Sequence, residues 1–170
     1  MAVYLFTFHA YRSWMPDNRR GFVRRGKGIQ PPDATRAKRY HARARCDRMT
    51  FNDAVGEQII MALQETCERK QWKLLAVVVV WTHVHLIVSW REFHDMKRVR
   101  AVLKRAVTVR LRDVIGRHCK WLAAGGSIRR VRDRKHYDHL MQRYLPAHHR
   151  YGGRQWYAKH RVADDAAGKE

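Results

Sequence analysis

The sequence predicts an α+β domain, an antiparallel sheet with helices packed on it. Three observations predict it. Short runs of alternating or β-branched apolar residues recur at 3–9, 73–80 and 83–90. Segments with helical spacing lie between and after them. The last two runs are joined only by Trp81-Thr82, a link too short for a parallel crossover and suited to an antiparallel pair. The order reads β-α-β-β-α-β-α.

Residues 3–9, VYLFTFH, alternate and carry aromatics, so they read as the first strand. From Tyr11 to Met49 the chain turns basic and rich in Gly and Pro. This long connection has room for a hairpin at GFVRR or a short helix near Ala34–Arg45. Thr50 opens a helix that runs to about Lys70, with Thr50 and Asp53 placed as a capping box. Phe51, Val55, Ile59 and Leu63 mark its buried stripe. KLLAVVVV, at 73–80, is a continuous apolar run of strand length, as expected of a central strand. HVHLIVSW, at 83–90, alternates and pairs with it. A second helix covers Asp95 to Gly116, with Met96, Val99, Leu103, Ala106 and Val114 inward and a basic outer face. Gly125-Gly126 breaks the chain before an edge strand at 129–132. A last helix spans Lys135 to Tyr144, and Pro146 is expected to end or kink it. Residues 1–150 read as one domain with a basic loop at 11–49, and 151–170 as a C-terminal tail with a frayed polar end.

Composition narrows the function. Lys+Arg number 36 against 15 Asp+Glu, a formal net charge of +21 in 170 residues. Such an excess exceeds what solubility requires and points to a polyanionic partner, nucleic acid before membrane. The longest apolar stretch, Leu74 to Trp90, is broken by Thr82, His83, His85 and Ser89, which argues against a bilayer-spanning helix. The N-terminus lacks the plan of a signal peptide. The three cysteines are odd in number and far apart, consistent with free thiols in a reducing compartment. A cytoplasmic protein, in the cytosol or nucleoid of a bacterium, is the expectation.

His83 and His85 carry the first chemical signal. Side chains two apart on a strand share a face. Val84, Leu86 and Val88 then face the core, and the two imidazoles face the other way together. Two such rings can share one divalent metal ion. With 11 histidines in 170 residues, an H-x-H pair is expected roughly 0.7 times by chance. The weight therefore comes from its place inside a sheet.

That strand, WTHVHLIVSW, resembles the His-hydrophobic-His strand of the HUH superfamily. More narrowly, the chain is similar to the single-tyrosine transposases, which include insertion-sequence transposases and REP-associated tyrosine transposases. VYLFTFHAYRSWMPD, WKLLAVVVVWTHVHLIVS and GGSIRR carry the likeness, and the order of elements follows it from Val3 to about His149. The resemblance implies an HUH-endonuclease architecture of ferredoxin-like or RRM-like type. It implies a metal-dependent single-stranded DNA endonuclease and strand transferase that forms a 5′-phosphotyrosine intermediate at hairpin-associated sites. The alternative is an inactive or domesticated member that only binds DNA or RNA hairpins.

In that family the last helix bears a tyrosine and, about four residues on, a polar metal ligand, commonly Gln. Tyr144 and His148 match that spacing. His stands where Gln is usual, Pro146 lies between the two, His149 is an alternative ligand and Tyr137 a rival nucleophile. His83, His85 and His148 would then hold Mg²⁺ or Mn²⁺, and imidazole ligands favour Mn²⁺. The DNA contacts expected are Arg24, Arg25, Lys97, Arg98, Lys104, Arg105, Arg129, Arg130 and Arg132, with the basic loop on a hairpin stem. Trp14, Trp121, Trp156 and Tyr157 are candidates for stacking unpaired bases. Monomer and homodimer both remain open.

Overall fold

The structure, a computed structural model, describes residues 1–24, 26–44, 46–116, 119–150 and 152–158. Its centre is an antiparallel five-stranded sheet. The sheet is built from β1 (Ala2–His9), β4 (Lys73–Val80), β5 (His83–Trp90), β6 (Ser127–Arg130) and β7 (Arg154–Tyr157), in the spatial order β6-β1-β5-β4-β7. The strands β2 (Phe22–Arg24) and β3 (Gly28–Gln30) pair separately. The expected α+β architecture is therefore present.

The two longest helices, α2 (Asp53–Arg69) and α3 (Met96–Ile115), cover one face. The stripe Phe51, Val55, Ile59 and Leu63 is buried there against Phe6, Phe8, Val84, Leu86 and Val88. The start of α2 differs from the sequence reading. Asn52, not Thr50, is the N-cap, and its side chain accepts from the Val55 N–H at 2.9 Å. Phe51 N–H is already committed to the Trp81 carbonyl, so the helix starts only beyond it. On α3 the buried positions are Val99, Leu103, Val107 and Leu111, a strict i, i+4 series. Val114, expected inside, is 55% exposed, since α3 has outrun the core by its last turn.

The long connection contains both elements the sequence offered, the β2–β3 hairpin and a helix α1 (Ala34–Ala42). It leaves and returns at one end of the sheet. Ala10 N–H donates to the Thr82 carbonyl, and Met49 N–H donates to the Tyr11 carbonyl. The basic segment is thereby tied to the β4–β5 turn.

Strand β7 was missed by sequence reasoning, which gave 151–170 to a tail. It pairs with β4 from Ala76↔Tyr157 to Val79↔Arg154. Gly153 permits this: its φ is +107, and a Cβ there would lie 2.0 Å from the Val79 carbonyl oxygen. The expected frayed end, 159–170, lies outside the described residues.

Of the two outcomes expected at Pro146, an end or a kink, the structure shows an irregular continuation. Pro146 does not end the last helix. After α4 (Arg134–His139) comes a π-helical turn, Leu140–Tyr144, and then α5 (Leu145–His149). Leu145 N–H reaches the Leu140 carbonyl, five residues back. Proline has no N–H to offer an α-turn and its ring crowds the carbonyl four residues earlier; a widened turn relieves both. The same turn stacks Leu140 and Leu145 on one face, and both are buried. This face packs on the second side of the sheet, against Leu5, Ala76, Val78, Val80 and Ile87.

Candidate functional site

Antiparallel partners share a face, so the register defines the second side of the sheet. His83 pairs with His9 and Val80, and His85 with Thr7 and Val78. Thus His83, His85, Thr7 and His9 all point to the side that α5 covers. His85 is buried and His83 is half-buried. Their ring centroids are 4.7 Å apart. His85 Nδ1 and the Thr7 hydroxyl are 2.9 Å apart, and His83 Nδ1 and the Thr82 hydroxyl 3.0 Å.

The π-turn and α5 bring in the remaining groups. The His148 ring lies 4.3 Å from that of His85 and 5.6 Å from that of His83. The Tyr144 ring lies 4.4 Å from His148 and 5.2 Å from His85. His148 Nδ1 is 2.8 Å from the Tyr144 carbonyl oxygen. A carbonyl only accepts, so this nitrogen is the donor, and in the neutral ring the lone pair is on Nε2.

These histidines suit a divalent metal ion. One ligand atom from each of His83, His85 and His148 lies within 4.8 Å of the others. All three Nδ1 atoms are engaged with oxygen, which leaves Nε2 as the ligand atom. His85 Nε2 is buried and has no hydrogen-bond partner, an unfavourable state that coordination would relieve. Burial, followed by its histidine neighbours, pushes His85 down to about 2, and burial, then His9 and His148, pushes His83 down to about 4. Both rings are therefore neutral at neutral pH, the form that binds metal. Burial raises the Tyr144 phenol above its ordinary value, and the Arg129 guanidinium opposes that shift.

The two rivals have other contacts. His149 Nε2 donates to the Gly153 carbonyl at 3.2 Å, tying α5 to the start of β7. Tyr137 sits beneath the Arg134 guanidinium, 5.8 Å from ring centroid to Cζ.

The expected DNA contacts divide. Arg24, Lys97, Arg98, Arg105, Arg129, Arg130 and Arg132 are exposed, and Arg25 lies outside the described residues. Lys104 is turned inward: its ammonium donates to the carbonyls of Ala123, Ala124 and Gly125, and burial lowers it to about 8. It braces the loop before β6 and does not track along the surface. The basic run is split by strand alternation. Arg129 pairs with Leu5 and so lies on the histidine side, whereas Arg130 pairs with Tyr4 on the helical side. Of the expected stacking residues, Trp121 is buried in the core, Trp156 and Tyr157 are packed into the sheet, and Trp14 is exposed. Sequence reasoning passed over Thr7 and His9, although the alternation of VYLFTFH already places them together on one face.

Residues 39–127 match the family described as IS200-like transposases. Among solved structures, the chain is similar to a REP-associated tyrosine transposase bound to a REP hairpin. The TM-score is 0.51 and the identity 14%, over 88% of this chain and 69% of that one. It is also similar to a candidate transposase from Deinococcus radiodurans R1, with TM-score 0.49 and 14% identity over 87% of this chain and 90% of that one. At such identities the likeness is one of fold. No curated protein matches the chain. Among the described residues no helix is long and apolar enough to cross a membrane.

Proposed function

The chain belongs to the IS200-like transposase family, and on that premise we propose that it nicks and rejoins single-stranded DNA at hairpin-associated sites, with Tyr144 as its nucleophile. His83, His85 and His148 would hold one divalent metal ion, Mn²⁺ or Mg²⁺, of which imidazole ligands favour Mn²⁺. The observation that carries this reading is the convergence of Tyr144 and His148, from one helix, on the His83–His85 pair.

When bound, the ion supplies Lewis-acid stabilisation of charge on the scissile phosphate. The protein's own groups do the rest. The Thr7 and Thr82 hydroxyls and the Tyr144 carbonyl hold the three imidazoles by Nδ1. Tyr144 is protonated at rest, because burial raises its phenol. Its hydroxyl oxygen attacks phosphorus and gives up its proton. The new O–P bond forms as the bond to the 3′-oxygen breaks, leaving a 5′-phosphotyrosine and a free 3′-hydroxyl. Attack by a 3′-hydroxyl on that linkage reverses the step, so strands are exchanged without ATP. In this reading the catalytic domain runs through β7, the 11–49 segment grips a hairpin stem, and the exposed Arg129 lies beside the scissile strand. Two copies acting together would let a single tyrosine per chain serve both cuts.

The test combines labelled hairpin DNA from the flanks of the gene with Mn²⁺ or Mg²⁺. A protein–DNA adduct that survives denaturation, and is lost with EDTA and in His83→Ala, is the expected result. Tight binding to the same DNA with no adduct in either metal would contradict the enzymatic reading and leave a hairpin-binding protein.

A further inference from the structure

The β4–β5 turn contains an unusual residue. Trp81 is 58% exposed, although its neighbours in sequence, Val79 and Val80, are buried. Exposing an indole forgoes a large hydrophobic gain. It sits two residues before His83, at the end of the sheet where the histidines cluster. Its backbone is fixed, since Phe51 N–H donates to its carbonyl at 2.8 Å. A Cβ on Gly152 would lie 3.5 Å from Trp81 Nε1, so the indole borders the loop that follows α5. The turn thus touches both the strand bearing His83 and the chain just beyond His148.

A second exposed indole is tied to the same turn. Trp14 is 46% exposed, and its Nε1 donates to the Gly21 carbonyl at 2.9 Å. Its neighbour Ser13 donates from its hydroxyl to the Thr82 carbonyl at 3.2 Å. Each indole is therefore one residue from the Ser13–Thr82 hydrogen bond. The remaining tryptophans, Trp72, Trp90, Trp121 and Trp156, are packed in or against the core.

We propose that Trp81, with Trp14 beside the same turn, forms a stacking subsite for unpaired nucleobases next to the scissile phosphate. The surroundings favour this occupant. Trp81 is two residues from His83 and Trp14 belongs to the basic 11–49 segment, and a strand of single-stranded DNA offers both phosphates for the arginines and aromatic faces for the indoles. A paired base keeps its faces within the stack and cannot use the subsite, so the subsite selects unpaired DNA. The position of the subsite beside a scissile phosphate rests on the proposed nicking reading, while the stacking itself is read by binding alone.

The test is binding in EDTA, where no cleavage can occur. Two fluorescent oligonucleotides are compared by anisotropy, an unstructured pyrimidine 12-mer and one of equal length in which four central nucleotides are abasic. Phosphates are equal in the two, so the ratio of Kd values reads the contribution of the bases, and the Trp81 variants isolate the share due to stacking. Wild-type protein should bind the intact strand about tenfold more tightly, in line with aromatic stacking of single bases. Trp81→Ala should bring the ratio close to one, Trp81→Phe should retain most of it, and Trp14→Ala should reduce it in part. An unchanged ratio in Trp81→Ala, with an unchanged melting temperature, would overturn the proposal. So would a wild-type ratio of one. Failure to form an adduct in the presence of metal would count against the nicking reading and leave this ratio fully readable.

Discussion

The two sides of the same sheet are used differently. The side under α2 and α3 is closed and almost wholly apolar: Phe6, Phe8, Leu86, Ile59, Leu63 and Leu103 are packed against one another. The other side begins in the same way, with Leu5, Val78, Ile87, Leu140 and Leu145, and then gives way to His83, His85, Thr7 and Tyr144 at one end. There a buried imidazole nitrogen is left without a partner. One side stabilises the fold, and the other gives up some of that stability to hold polar groups in a fixed geometry.

Paired substitutions should separate the two sides most sharply. Tyr144→Phe removes one half-buried hydroxyl. It should cut adduct formation by on the order of 10³-fold or more while changing stability by less than about 0.5 kcal/mol. Leu103→Ala should do the reverse, costing about 2–5 kcal/mol by denaturant titration while the remaining folded protein still forms the adduct. Equal loss of stability in both would break the comparison.

A smaller effect is expected from metal. Mn²⁺ at 100 times its Kd should stabilise the wild-type protein by about 2.7 kcal/mol, seen as a rise in Tm. His85→Ala should abolish that rise. A rise of the same size in His85→Ala would place the ion elsewhere.

A further effect concerns pH in metal-free protein. Folded His83 and His85 bind protons only near 4 and 2, against 6.5 for an ordinary histidine. Between 6.5 and about 4 the unfolded chain therefore carries more protons than the folded one. Stability is full above 6.5 and falls as pH drops through that window. Tm should decline from pH 7 to pH 5, and more gently in His85→Gln. An equal decline in both would remove His85 from the explanation.

Much of the closed side was legible in the sequence, because apolar spacing encodes it directly. Val55, Ile59 and Leu63 fall where their period puts them, and Phe51 joins them in the core although it precedes α2. The strand pair and the shared face of His83 and His85 followed from alternation. Three features were hidden. Strand β7 is short and polar, and its place depends on a backbone approach that only Gly153 permits. The π-turn depends on how a proline is accommodated, and spacing alone reads Pro146 as a stop or a kink without saying which. Lys104 looks like any lysine on a basic helix, and only the fold brings three carbonyls to its ammonium. The positions of Tyr144 and His148 rested on family spacing; their approach to the histidine strand needed the helix to run through Pro146.

The most direct test of the central claim is tryptic peptide mapping of the trapped protein–DNA complex by mass spectrometry. Cleavage after Arg143 and Arg150 places Tyr144 in one peptide, residues 144–150, and Tyr137 in another, residues 136–143. The account predicts a nucleotide phosphate on the peptide that contains Tyr144. The same mass on the peptide that contains Tyr137, with residues 144–150 unmodified, would contradict it.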